Sequence, residues 1–77
     1  MKKARIIYQL TNDLLKYLLK YSALETFSEN DVEKVLAESD RICNKYKNAP
    51  DGIGYLAYKM CGAVNSYFMQ IDKRKRA

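Results

Sequence analysis

The stretch IGYLAYKMCGAVNSYFMQI, residues 53–71, decides the fold that this chain is predicted to adopt. At about 100° per residue it forms a helix with apolar side chains on two separate faces. The core-facing set is Ile53, Leu56, Ala57, Met60, Val64, Tyr67, Phe68 and Ile71. Because a single face is enough for a core, the second face is a candidate contact surface. That surface consists of Tyr55, Tyr58, Gly62 and Met69.

Two further helices precede this one, and we predict helices over about 4–25, 29–47 and 52–72. In the first helix, apolar residues recur at spacings of three and four, as on one helical stripe. They are Ile6, Ile7, Leu10, Leu14, Tyr17, Leu18, Tyr21 and Leu24. Tyr8, Leu15 and Leu19 fall outside that stripe and form a second surplus apolar flank.

The second helix has a narrower apolar stripe and well-defined ends. Its stripe consists of Val32, Val35, Leu36, Ser39, Ile42, Cys43 and Tyr46. Ser28 and Asp31 have the spacing of a capping box, and Pro50 disfavours helix at Ala49. From its place on the stripe, Leu36 is expected to be a core residue whose replacement by alanine costs about 2–5 kcal/mol. Ser39 is expected to bond back to a helical carbonyl.

The fold class predicted is therefore all-α, an antiparallel up-down-up three-helix bundle. The 77 residues form a single domain, 1–77, with a short basic C-terminal tail at 73–77. That tail contains Lys73, Arg74, Lys75 and Arg76, which we add to the candidate contact surface. Lys59 and Asn65 interrupt the most apolar stretch, so no membrane span is expected.

The net charge of +5 and pI near 9.3 favour an acidic partner: nucleic acid, a membrane surface or an acidic protein patch. A basic DNA-binding accessory or regulatory protein of a mobile element is one alternative. However, the third helix offers few polar side chains for reading bases, which leaves phosphate contacts by basic ends. A structural homo-oligomer that buries its surplus apolar faces is another alternative.

Signals for catalysis, metals or cofactors are weak. Gly52 and Gly54 begin a G-x-G-x-x-A pattern, but no strand is predicted before it, as a dinucleotide site requires. The chain has no histidine, and the turn at Pro50 places Cys61 about five residues, roughly 8 Å, out of line with Cys43. We expect two reduced core cysteines, no metal, no cofactor and no enzymatic activity.

In its pattern the chain resembles the immunity proteins of pediocin-like bacteriocins. The residues that carry the resemblance are those at 2–13, 31–36 and 44–47, with Pro50, Tyr58, Val64 and Asn65. Such proteins are small cytosolic helix bundles that protect a Gram-positive producer from its own peptide toxin. They usually have a fourth helix, whereas three are predicted here.

The resemblance implies a protein partner, namely a membrane-embedded sugar transporter that the bacteriocin locks open. The immunity protein would approach it from the cytosolic side. A cytoplasmic location, peripheral at the inner face of the membrane, follows from that expectation. The leading hypothesis is thus a non-enzymatic helical protein that acts by binding a partner.

Overall fold

The structure is a computed structural model that describes residues 2–72. It contains three helices, α1 (Lys2–Ser22), α2 (Glu29–Tyr46) and α3 (Ile53–Ile71), and no strand is found among those residues. Each helix contacts both others in an up-down-up three-helix bundle, which confirms the predicted fold class. Helix α1 begins two residues earlier and ends three residues earlier than predicted. The other bounds agree within one residue, and the tail at 73–77 lies outside the described part.

The start of α2 is determined by short-range hydrogen bonds. The Asp31 backbone N–H donates to Ser28 Oγ at 3.1 Å, and the Ser28 N–H donates to Asp31 Oδ2 at 3.0 Å. The predicted capping box is therefore complete, although aspartate replaces the usual glutamate. Phe27, just before the cap, is buried, and Val32 packs against the core. The cap and these two apolar side chains together define how the chain enters α2.

The turn from α2 to α3 explains the glycine pattern without a phosphate site. Asp51 and Gly52 both have positive φ, at 58° and 77°, where glycine carries no steric cost. A Cβ on Gly54 would lie 2.7 Å from the carbonyl oxygen of Lys47 and 2.8 Å from that of Tyr46. Gly52 is thus needed for the turn, and Gly54 for close approach of α3 to the end of α2.

The core is a single cluster contributed by all three helices and the first loop. It contains Leu10, Leu14, Tyr17, Tyr21, Phe27, Val35, Ile42, Tyr46, Ile53, Ala57, Cys61 and Phe68. Ser39, predicted on the core stripe, is also buried. Most predicted core positions are therefore confirmed as buried or partly buried.

The prediction of a core position is wrong for three residues, which are exposed in the structure. Leu36 is 53% exposed, Tyr67 46% and Leu56 39%. Each is the immediate neighbour of a buried residue and points about 100° away from it. Since each helix packs against only two others, the buried stripe is too narrow to cover such flanking positions. Alanine at position 36 should consequently cost far less than a core leucine.

The far end of α3 is tied to the loop between α1 and α2. The Phe68 ring packs against Tyr17, Tyr21 and Phe27, with ring centroids 5.4–5.8 Å apart. Asp72 is buried at the end of the helix, and its Oδ1 accepts a hydrogen bond from the Phe27 backbone N–H at 3.1 Å. A charged acceptor on a buried backbone donor contributes about 1.5–3 kcal/mol.

Candidate partner-binding groove

A groove runs between α2 and α3 on the surface of the bundle. It consists of two adjoining depressions of about 150 and 560 Å³, which share Leu36 and Asn65. The first is lined by Phe27, Val32, Val35, Leu36, Asn65, Phe68, Met69 and Asp72. The second is lined by Leu36, Ser39, Asp40, Cys43, Tyr58, Lys59, Cys61, Gly62, Ala63, Asn65 and Ser66. We call this surface the α2–α3 groove.

The floor of the groove is a polar network that joins all three helices. Tyr17 of α1 donates its hydroxyl hydrogen to Asn65 Oδ1 of α3 at 2.5 Å and lies 3.0 Å from the carbonyl oxygen of Val35. The Asn65 side-chain amide donates to Ser39 Oγ of α2 at 3.0 Å. Ser39 therefore bonds across the bundle to Asn65, which corrects the expected bond to its own helix.

Burial raises the pKa of Tyr17 well above its usual range, against a smaller opposing effect of its hydrogen bond with Ser39. The hydroxyl is consequently protonated and available as a donor at neutral pH. Buried polar groups that satisfy one another favour one arrangement of the helices over others, because any slip leaves a donor or acceptor unpaired. The network therefore helps to hold α2 and α3 in register beneath the groove.

The two cysteines lie on opposite sides of the same depression, and the predicted misalignment between them is wrong. Cys61 is buried and Cys43 is partly exposed. Burial, followed by a hydrogen bond with Cys43, raises the pKa of the Cys61 thiol to about 12. Counting residues from the turn fails because the close contact at Gly54 and the bond between Asn65 and Ser39 set the axial offset of α3. No disulfide joins the two cysteines in the structure, and only Cys61 is fully buried.

Most of the predicted α3 contact surface lies along this groove. Tyr58, Gly62 and Met69 line it, and Leu36 joins them from α2. Tyr58 and Met69 are both 63% exposed. A Cβ built on Gly62 meets no atom within 4 Å, so the space above it is open. Helical phase alone thus places these α3 residues away from the core, and their role in binding stays a prediction.

The remaining predicted contact residues lie beside the groove or away from it. Tyr55 is exposed just outside, and the Lys59 ammonium lies 5.5 Å from its ring centroid and 5.9 Å from that of Tyr58. The exposed α1 residues Tyr8, Leu15 and Leu19 do not line the groove. The basic residues Lys73, Arg74, Lys75 and Arg76 lie outside the described residues.

Sequence reasoning misses two groove residues. Leu36 is assigned to the core by its spacing, although one step along the helix turns it toward solvent. Asn65 is considered as a polar interruption of the apolar stretch, although it is half-buried in the network. A lone asparagine among apolar α3 residues, with Ser39 on the stripe of α2, is the signal that could have indicated a buried polar pair.

The face between α1 and α2 is different in chemistry, because charged side chains cover it. Lys20 donates to Glu38 at 2.8 Å, and Lys45 donates to Asp13 at 2.9 Å. Tyr46 also donates to Asp13, at 2.6 Å. The earlier α1 residue, Asp13, pairs with the later α2 residue, Lys45, as expected for two antiparallel helices. Lys45 is therefore engaged within the bundle and is not a free phosphate contact.

Both carboxylates of this face ionise more readily than usual. Burial raises the pKa of Asp13, but the hydrogen bonds from Lys45 and Tyr46 outweigh it and hold the pKa below its ordinary value. Burial likewise opposes ionisation of Glu38, and the hydrogen bond and charge of Lys20 lower its pKa overall. The two pairs are partly exposed to solvent, so each contributes modestly to stability.

Helix α3 contains a single charged residue, Lys59, whereas charges are frequent on α1 and α2. Even so, none of the helices within residues 2–72 is long and apolar enough to cross a bilayer. Nor does that part of the chain bring together three or more side chains of the kinds that hold a metal ion. No protein-family model, curated protein or solved structure matches the chain.

Proposed function

We propose that this chain acts by binding a protein partner in the α2–α3 groove, without catalysis, and that it is a bacteriocin immunity protein. The single observation that carries the binding proposal is the groove itself. It is rimmed by exposed Leu36, Tyr58 and Met69, and it is open above Gly62. Exposed apolar and aromatic side chains around a depression are typical of protein contact surfaces.

The shape of the groove favours a helix as its occupant. Tyr58 and Met69 lie eleven residues apart on α3, which is about 16 Å, or three turns of a helix. The missing side chain at Gly62 allows the backbone of a second helix to approach closely. An amphipathic helix could place its apolar face between Leu36 and Met69, as helix-in-groove recognition requires.

The net charge of the chain favours an acidic partner segment, although Asp40 and the buried Asp72 line the groove together with Lys59. Lys59 is an exposed residue of the groove lining and the single charged residue of α3, and the whole chain has a net charge of +5. An acidic residue at the end of the bound helix would pair with this ammonium group. Because the pair would lie at the rim, its main effect is on association rate and orientation, and salt weakens it.

From the resemblance to pediocin-like immunity proteins, we infer that the partner is the sugar transporter that the toxin holds open. The bundle would bind a cytosolic helical segment of that transporter, which places it at the inner face of the membrane. Residues 73–76 continue the chain beyond the end of α3 with four basic side chains. We assign them to contact with acidic groups of the transporter or of the adjacent lipid.

Protection of living cells tests this proposal. The chain is expressed in a strain sensitive to pediocin-like peptides, and survival is measured against several of these peptides. The wild-type chain is expected to protect against at least one of them. Unchanged killing by every peptide, with the chain present in the cell, would overturn the immunity proposal.

A matched pair of variants tests the groove itself. Gly62→Gln places a long side chain in open space above the groove, so the fold should tolerate it while the partner helix is excluded. Ala37→Gln introduces the same side chain at an exposed α2 position that lines neither depression. We expect Gly62→Gln to lose protection and Ala37→Gln to keep it. Full protection by a folded Gly62→Gln variant contradicts the assignment of the groove.

The DNA-binding alternative has less support. Asn65, one of the few polar residues of α3, is engaged with Ser39, and Lys45 is engaged with Asp13. Retardation of duplex DNA in a gel at low salt, weakening steeply as salt rises, would favour that alternative. A homo-oligomer that uses Tyr8, Leu15 and Leu19 predicts a mass above that of the monomer in light scattering.

A further inference from the structure

The two cysteines of this chain occupy matching positions on α2 and α3. The Asn65 amide donates to Ser39 Oγ across the two antiparallel helices and so marks one point of their register. Four residues later on α2 is Cys43, and four residues earlier on α3 is Cys61. Each step is about one helical turn in the same spatial direction. The thiols therefore lie opposite one another, one turn from the Asn65–Ser39 bond.

Two further observations agree with this register. Cys43 and Cys61 line the same depression of the α2–α3 groove, together with Gly62. The proximity of Cys43 also affects Cys61, since it is among the causes, after burial, that raise the pKa of the Cys61 thiol. Cys43 packs against the core cluster that contains Cys61. The pair is thus a structural feature of the groove floor and not two unrelated core residues.

The two sulfur atoms differ in access. Cys43 is partly exposed and lines the open depression, so a small oxidant can reach it from solvent. Cys61 lines the same depression but is only 1% exposed, so an oxidant of the same size has almost no access to its sulfur. Susceptibility to oxidation follows exposure and thiolate character, so Cys43 is the residue that reacts first and Cys61 is the one that resolves it.

We propose that Cys43 and Cys61 are an oxidative modification site, at which hydrogen peroxide drives formation of an intramolecular disulfide across the floor of the α2–α3 groove. In the first step the Cys43 sulfur attacks peroxide, the O–O bond breaks, and Cys43 sulfenic acid and water form. In the second step the Cys61 sulfur attacks the Cys43 sulfur. The S–O bond breaks, and the hydroxyl leaves as water with the proton of Cys61. Overall, two thiols are oxidised and one peroxide is reduced to two waters.

The second step should be slow near neutral pH and faster in alkaline solution. The nucleophile in disulfide formation is a thiolate, and burial together with the Cys43 contact holds the pKa of Cys61 at about 12.

The bridge would join α2 to α3 covalently and close a loop that includes the Pro50 turn. By restricting the unfolded chain, it should raise the thermal midpoint by about 10–25 °C.

The test uses the full reduced chain in native buffer, treated with hydrogen peroxide at low protein concentration. We expect both free thiols to disappear, the monomer to lose the mass of two hydrogens, and dithiothreitol to reverse both changes. The oxidised monomer should melt above the reduced one. Persistence of the Cys61 thiol while Cys43 proceeds to sulfinic acid would overturn the proposal, as would a disulfide that lowers the thermal midpoint.

Single variants separate the assigned roles. In Cys61→Ser, Cys43 should stop at the sulfenic acid, which dimedone traps as a stable adduct. In Cys43→Ser, the buried Cys61 should be almost unreactive toward peroxide while the protein remains folded. Equal peroxide reactivity of the two folded single variants contradicts the order of the two steps. Disulfides formed only between chains contradict the facing arrangement.

Discussion

The two glycines Gly54 and Gly62 lie on the same helix, and replacing each by alanine should change stability in opposite directions. At Gly62, an added Cβ meets no atom within 4 Å, so the substitution brings only the better helix propensity of alanine. Glycine inside a helix is less favourable than alanine by about 0.5–1 kcal/mol. Gly62→Ala should therefore stabilise the bundle by about that amount.

At Gly54 the same methyl group would lie 2.7 and 2.8 Å from the carbonyl oxygens of Lys47 and Tyr46. Both atoms belong to the backbone, so α3 must move away from the end of α2 to admit it. Displacements of this kind in packed regions cost about 1–3 kcal/mol, which exceeds the gain in propensity. Gly54→Ala should be destabilised by about 1–2 kcal/mol after the two effects are combined.

Urea and thermal unfolding followed by circular dichroism measure the difference. For a domain of this size, 1 kcal/mol corresponds to a shift of about 4–8 °C in the melting midpoint. We expect Gly62→Ala to melt above the wild type and Gly54→Ala below it, with similar denaturant m-values for all three proteins. If the two variants shift in the same direction, α3 does not approach α2 as described at Gly54, or Gly62 is not open.

Three further predictions concern the core, the buried network and the ion pairs. Leu36→Ala should reduce the free energy of unfolding by less than about 1 kcal/mol, because the Leu36 side chain is half exposed. Leu10 is fully buried, so Leu10→Ala should reduce it by about 2–5 kcal/mol. Equal urea midpoints of the two variants would refute this contrast. Tyr17→Phe removes the donor at the groove floor and should cost about 1–3 kcal/mol in urea unfolding, and a wild-type midpoint would show that the hydroxyl network is unimportant. Because the folded-state pKa values of Asp13 and Glu38 are lowered, their stabilisation is present above the unfolded-state values near pH 4 and is lost as the pH falls through the folded-state values. Urea midpoints measured from pH 6 to pH 2 should therefore decline, and Asp13→Asn should reduce that decline; an identical pH profile in the variant would contradict the role of this carboxylate.

Local signals account for the three helices and for the boundaries of α2 and α3, whereas both ends of α1 differ from the prediction by two or three residues. Apolar residues at spacings of three and four predict all three helices, because the 3.6-residue repeat depends on the backbone and not on neighbouring elements. Ser28 and Asp31 form their capping bonds within four residues of chain, so the start of α2 is equally local. The preference for glycine at position 52 is also local, since a turn residue with positive φ favours glycine whatever packs around it.

The candidate site is only partly predictable for a related reason. Helical phase separates Tyr58 and Met69 from the core side of α3, so their exposure follows from the sequence. The same phase assigns Leu36 to the wrong side, because the width of a buried stripe depends on how many helices cover it. Leu36, at the edge of that stripe, therefore becomes a rim residue of the groove only once the bundle is assembled.

By itself, then, the sequence determined which segments are helical, where α2 and α3 begin to within one residue, and that α3 has more apolar surface than a core requires. These properties depend on interactions between residues close together in the chain. Only the tertiary structure decided that Ser39 meets Asn65, that Cys43 meets Cys61, and that a groove lies between α2 and α3. Those contacts depend on how far one helix slides along another. That offset is set by the close approach at Gly54 and by packing between residues far apart in sequence, which the periodicity of a single helix does not contain.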